Sequence, residues 1–179
     1  MTRAARRTFH SLRYRNYRLF FGGQIVSQTG SWMQRIALGW FILQLTHSAF
    51  DVGVMAFAQF APYMLFGLFA GVLADRLDAR RTVIGTQAAQ LVSASALAWI
   101  ALGGFAEPWM LYTIAFINGT VLVLDVPSRQ QLTYRMVGRD DLPNAIALNS
   151  TLFNAARIFG PAVAGVVLGA TLLVSAPAQ

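Results

Sequence analysis

Long apolar stretches, each closed off by charge, proline or glycine, leave this chain few folds to choose from. A hydrocarbon core about 30 Å thick takes roughly 20 residues of helix. Five stretches meet that length: residues 17–45, 50–74, 82–103, 109–126 and 144–174. Of all residues 56% are apolar and only 12% are charged, about half the usual quarter, which rules out an ordinary water-soluble domain. The pattern predicts an all-α, polytopic transmembrane bundle of about five helices over 17–174, with a basic arm at 1–16 and a short tail at 175–179. The connections at 46–49, 75–81 and 104–108 are short, so the helices they join run antiparallel. A longer, charged connection is expected at 127–143.

The arginines set the orientation. All 14 basic residues are arginine, and the net charge is +7. Arg3, Arg6, Arg7, Arg13, Arg15 and Arg18 lie in the arm. Arg76, Arg80 and Arg81 lie between the second and third stretches, and Arg129, Arg135 and Arg139 between the fourth and fifth. The other two connections have no arginine, only Asp51 and Glu107 at their edges. Positive loops stay in the cytoplasm, so the N-terminus is expected there and the C-terminus outside. Arginines interleaved with Phe9, Tyr14 and Tyr17 could also contact nucleic acid, but a juxtamembrane position accounts for them through anionic headgroups on the cytoplasmic side. No nucleic-acid partner is expected. A cleaved signal peptide would also start with a basic region. Gln24 and Gln28 interrupt the apolar stretch, however, and no small-residue cleavage site follows, so the first helix is retained.

No cysteine and only two histidines, His10 and His47, exclude cysteine catalysis, disulfides and histidine-cluster metal sites. His47, Ser48 and Asp51 are merely neighbours at a helix edge, and no glycine-rich phosphate loop or carboxylate pair is present. Neither an enzyme nor a cofactor is expected.

Polar residues inside the apolar stretches carry the functional signal, because a charged side chain near the bilayer centre costs about 2.5 to 3.5 kcal/mol. Arg157 lies 13 residues beyond Asn144, about 20 Å deep, so it must face protein or water. Ser150, Asn154 and Arg157 share one helical face, as do Gln24, Gln28, Ser31 and Arg35 in the first stretch. Arg35 is either at mid-membrane in a tilted helix or within reach of the outer headgroups beside Asp51. Thr86, Gln90 and Ser93 continue the theme in the third stretch, and Asn118 and Asp125 in the fourth. Polar faces on four helices suggest a hydrated path lined by Gln28, Arg35, Asn118, Asp125, Asn154 and Arg157. Each of these residues is also compatible with a structural interhelical hydrogen bond. The pairs Gly67/Gly71, Ala156/Gly160 and Gly165/Gly169 have the four-residue spacing that lets helices approach closely in lipid.

Two longer patterns surround these glycines. GVLADRLDARR at 71–81 resembles the signature between the second and third helices of the major facilitator superfamily; Gly71, Asp75, Arg76, Arg80 and Arg81 match, and Asp78 replaces a usual glycine. ARIFGPAVAG at 156–165 resembles the fifth-helix signature of its antiporter branches; Gly160, Pro161 and Gly165 match, with Ala156 and Ala164 in place of two glycines. The stretches SLRYRNYRLFFGGQIVSQTGSWMQR, DVPSRQ and GRDDLPNAIALNSTLFNAARIFGPAVAG further resemble the exporter subgroup that includes enterobactin-type siderophore exporters and macrolide-efflux-like permeases.

The resemblance implies proton-coupled export of a small molecule, such as a drug or siderophore, across the bacterial inner membrane by alternating access. It gives the cluster around Asp75 the role of a gating latch, and Gly160, Pro161 and Gly165 that of helix packing. By sequence, Asp75 is expected just before the third helix, where that helix's positive end would favour it. Two departures accompany the resemblance. Ala115 stands where the family's fourth helix carries an arginine often linked to proton transfer, and the chain stops after five helices, short of the usual two six-helix halves. It is therefore expected to be an N-terminal portion, with a missing C-terminal half or a partner chain. The alternative is a small non-transporting membrane protein that associates with another polytopic partner.

Overall fold

The structure, a computed structural model, describes residues 10–175, with side chains described through residue 169. Arg3, Arg6, Arg7, Phe9 and residues 176–179 lie outside the described residues. After a 3₁₀ turn at His10–Arg13 come four helical elements: α1 (Arg15–Thr46), α2 (Ala49–Arg76), α3 (Ala79–Gly103) and α4 (Pro108–Ser175). No strand occurs among the described residues.

The corners are sharp because side chains cap them. His47 takes a left-handed backbone (φ 53°), which ends α1. Ser48 then caps α2 by accepting a hydrogen bond from the Asp51 N–H at 3.3 Å. Leu77 closes α2 through N–H bonds to the Leu73 and Ala74 carbonyls. Asp78 opens α3, its carboxylate accepting from the Arg81 N–H at 2.8 Å. Gly104, at φ 68°, ends α3. Asp78 thus explains one departure from the family pattern. Glycine and aspartate are both accepted helix caps, and aspartate adds a side-chain acceptor.

The stretch 127–143, expected as a connection, is helical apart from one residue. Gly138 has φ 72° and ψ 176°, a conformation almost restricted to glycine, and it divides α4 into arms at 108–137 and 139–175. Pro127 and Pro143 do not break the chain there; Pro143 falls in the first turns of the second arm, where a missing N–H costs little. By length and composition α2, α3 and Pro108–Gly169 are apolar enough to cross a membrane. The last is 62 residues long, about 90 Å as continuous helix, and all its charges except Arg157 fall in its middle part, between Asp125 and Asp141. It therefore has room for two crossings joined by a charged section. Helix α1 has 32 residues, but Gln24, Gln28, Gln34, Arg35 and Gln44 keep it below the same mark.

The chain divides into two compact units, one of residues up to Ala37 with those from Met136 onward, the other Leu38–Arg135. In the second, Leu38 and Ile42 of α1, Met55 of α2, Leu97 of α3 and Leu111, Ile114 and Ala115 of α4 form the core. Ala115, at the position where the resembling family carries an arginine, is fully buried in this apolar core. Gly119 permits the closest approach: a Cβ there would fall on the Gln59 carbonyl and 3.2 Å from the Pro62 ring.

In the first unit α1 lies along the second arm of α4. Tyr17 Oη is 3.2 Å from both the Ala145 carbonyl and Asn149 Oδ1. Farther along, the Trp32 ring meets Phe153 edge-on at 5.7 Å. A Cβ on Gly160 would stand 2.6 Å from Trp32 Cβ. The contacts run in the same order on both segments, so the two are parallel. Ala145, Leu148, Leu152, Ala156, Gly160 and Ala164 form the buried stripe. The other small residues do not follow the expected packing. Gly67 would meet only Tyr63 of its own helix, and Gly71, Gly165 and Gly169 have nothing within 4 Å, because their faces oppose no other described helix.

The residues before α1 are pinned to the start of the second arm. Ser11 N–H donates to Asn144 Oδ1 at 3.0 Å. Asp141 is buried and accepts from Tyr14 Oη and His10 Nδ1, each at 2.8 Å, with Arg13 at 2.9 Å. Led by the His10 hydrogen bond, then that of Tyr14, these groups hold the Asp141 carboxyl below the usual carboxylate range.

Two outcomes are expected. Gly138→Ala should destabilise the detergent-solubilised protein by about 1 to 3 kcal/mol, the cost of a side chain in that backbone region. Gly165→Ala, in open space, should leave the melting temperature unchanged or raise it. For Asp141, whose folded-state value is lowered, the stabilisation is present in full above the ordinary aspartate value near 4 and is lost as pH falls through the lowered one. Thermal melts from neutral to acid pH should show this loss in the wild type and a weaker one in Asp141→Asn.

Candidate functional site

The residues expected to form a gating loop lie at the α2–α3 corner. Asp75 belongs to the last turn of α2, not to the approach to α3; Asp78 occupies the capping position that the sequence suggested for Asp75. The reason is that α2 runs on to Arg76 and leaves only two residues for the corner. The exposed Asp75 carboxylate accepts from Gln131 Nε2 at 2.6 Å, joining this corner to the first arm of α4. Arg76, Arg80 and Arg81 are exposed, and among the described residues none forms an ion pair. Gly71, one turn before Asp75, is also exposed.

One helical turn deeper is a charge cluster whose second member sequence reasoning missed. Asp125, only 2% exposed, pairs with Arg129, 8% exposed, and also accepts from the Thr86 hydroxyl. Gln87 lies at 3.4 Å from the same carboxylate oxygen. Reading 127–143 as a connection placed Arg129 among loop arginines. The signal that would have found it is the i, i+4 spacing of Asp125 and Arg129, which matters only once the helix is known to continue. A pair this deeply buried is costly to break, because the remaining charge loses its partner. Asn118, two turns earlier on the same arm, is half-buried, with Oδ1 unpartnered.

The remaining predicted path residues belong to the other unit. Gln28 is half-buried on α1. The Arg35 guanidinium stacks over the Trp32 ring, 4.6 Å from its centroid, and its buried Nε has no hydrogen-bond partner. Trp32 is level with Gly160, and Asp51 is engaged elsewhere by the Tyr112 hydroxyl at 2.8 Å. On the second arm of α4, Ser150, Asn154 and Arg157 are exposed on the flank of the buried stripe. Asn154 donates only to the Ser150 carbonyl of its own helix, at 2.8 Å. Within the signature at 156–165, Gly160 makes the close contact and Pro161 is half-buried beside it, while Gly165 is open.

Comparison with known proteins identifies the family. Residues 6–176 match the family model described as transmembrane secretion effector. The chain is similar to the staphyloferrin A transporter of Staphylococcus aureus, 28% identical over 83% of this chain and 38% of that protein. It is also similar to macrolide efflux protein A of Streptococcus pyogenes, 27% identical over 87% of this chain and 39% of that protein. A third relative is the multidrug efflux pump Tap of Mycolicibacterium fortuitum, 26% identical over 80% of this chain and 36% of that protein. The aligned part of the chain thus covers well under half the length of these relatives. No solved structure matches it. The chain belongs to the transmembrane secretion effector family of major facilitator transporters.

Proposed function

We propose that this chain forms the N-terminal portion of an exporter in the bacterial inner membrane, which moves a small molecule outward in exchange for protons by alternating access. The N-terminus and the 75–81 and 127–143 regions face the cytoplasm, where their arginines meet anionic headgroups. The observation that carries the reading is the uncovered polar face of Ser150, Asn154 and Arg157, on an arm whose buried stripe is packed against α1. At membrane depth such a face needs water or further protein beside it. A hydrated path bounded by a second half of the transporter supplies both. The names of the relatives support export of a siderophore or drug. In this reading Asp75, Arg76, Arg80 and Arg81, with Gly71, gate the cytoplasmic end. Gln28, Arg35, Asn118, Asp125, Asn154 and Arg157 serve the path, and Gly160, Pro161 and Gly165 shape the fifth crossing.

The stretch contains no cysteine, which provides a direct test. In the complete protein, with any cysteines elsewhere replaced by serine, Asn154→Cys should react with a membrane-impermeant maleimide. Val166→Cys, on an exposed apolar face, should not. In parallel, deleting the gene should raise cellular accumulation of labelled erythromycin or staphyloferrin A several-fold, and an uncoupler should abolish the difference. An inert position 154, together with unchanged accumulation of both compounds, contradicts the proposal.

A further inference from the structure

Arg35 and Arg157 occur at one level of one unit. Trp32 meets Phe153 and Gly160, the residues four before and three after Arg157. Arg35 is three residues beyond Trp32, and its side chain leans back over that ring. One guanidinium therefore lies on this indole, and Arg157, exposed, starts from the same level of the neighbouring arm. No carboxylate of the described residues pairs with either. There are seven acidic residues. Asp51 is held by Tyr112, Asp75 by Gln131, Asp78 by the Arg81 N–H, Glu107 by Trp109, Asp125 by Arg129, and Asp141 by His10, Arg13 and Tyr14. Asp140, next to Asp141, is 17 residues before Arg157, about 25 Å along the helix. Among the described residues neither arginine forms an ion pair, and the buried Arg35 Nε lacks even a hydrogen-bond acceptor.

A structural arginine at this depth would have its acceptor nearby, as Arg129 does. Two without one indicate a counterion that arrives from outside the chain. The surroundings narrow its chemistry: Trp32, the partly exposed Phe153 and the exposed Ile158 offer apolar surface next to the charges. We infer that Arg35 and Arg157 form an anion subsite, and that the compound carried is an amphipathic organic anion, its carboxylate held by the guanidiniums and its apolar body against Trp32 and Phe153. The inference rests on the export reading for the word "carried" and on the residues alone for the word "anion".

The test uses two dyes that share a xanthene skeleton and differ in charge, carboxyfluorescein as the anion and rhodamine 6G as the cation. Fluorescence anisotropy with the purified complete protein in nanodiscs should show carboxyfluorescein binding at least about tenfold more tightly than rhodamine 6G. Arg35→Gln or Arg157→Gln should weaken carboxyfluorescein binding by about tenfold or more, the loss of one charge-assisted hydrogen bond. Arg157→Lys, which keeps the charge, should retain most of it and serves as the control for folding. Equal or tighter binding of rhodamine 6G overturns the inference. So does unchanged carboxyfluorescein binding in both glutamine variants, the result expected if carboxylates from the rest of the protein neutralise the arginines. Efflux from cells loaded with each dye separates the two readings. Anion-selective binding without efflux of either dye refutes export and leaves the subsite standing, whereas efflux without anion selectivity does the reverse.

Discussion

A guanidinium cannot be left bare in hydrocarbon, and this constraint sorts the features of the chain. Its arginines fall, by sequence, either at the ends of the apolar stretches or inside helices. The first group accounts for the topology. In the proposed topology 75–81 and 127–143 share one side of the membrane, and the ordered contacts of Tyr17 and Trp32, which make α1 and the second arm of α4 parallel, are compatible with it. The second group is smaller. Arg129 is neutralised one turn from Asp125, while Arg35 and Arg157 are not neutralised by any described residue.

The charged section of α4 shows how the chain passes from one crossing to the next without a loop. Continuous helix satisfies its own backbone hydrogen bonds, so carrying helix through 127–137 costs little even where the side chains are polar. The break in the helix is left to Gly138, at φ 72° and ψ 176°. Just beyond it, Asp141 lies in the first turn of the new arm, where a negative charge is favoured by the helix dipole. The same carboxylate gathers Tyr14, Arg13 and His10 and so ties the residues before α1 to the arm beside α1. One residue thus starts a helix and fixes its partner.

How far the sequence disclosed this depended on what kind of signal was being read. Hydrophobic length locates helices well: 50–74 and 82–103 became Ala49–Arg76 and Ala79–Gly103. The missing residues are the capped corners, whose polar side chains look like loop. The same weakness hid helix across 127–143, since charge marks the edge of a membrane and not the end of a helix. Arg129 disappeared with it, because its pairing with Asp125 depends on helical spacing. Asp75 was misplaced by one turn for a related reason, the corner being shorter than its charges suggested. Small-residue spacing was an unreliable guide to contact. Gly160 and Gly119 are packed against neighbouring backbone, whereas Gly71 and Gly165 are open, and the sequence pattern around them does not distinguish the two cases. What decides is which face of the helix has a neighbour, and that is a property of the fold.

The paired and the unpaired arginines have different consequences for the alternating access proposed above. The Asp125–Arg129 pair is carried on one helix arm and is neutral as a unit, so it can travel with that arm at no electrostatic cost, and its hydrogen bond from Thr86 ties α3 to the same motion. Arg35 and Arg157 are carried on two different segments, α1 and the second arm, held together by the Trp32 contacts with Phe153 and Gly160. Their charges repel one another, and the cost rises as water leaves. Closing such a site is least favourable when it is empty and becomes favourable when an anion bridges the pair. A carrier needs that ordering, because a site that closes only when filled does not cycle idly.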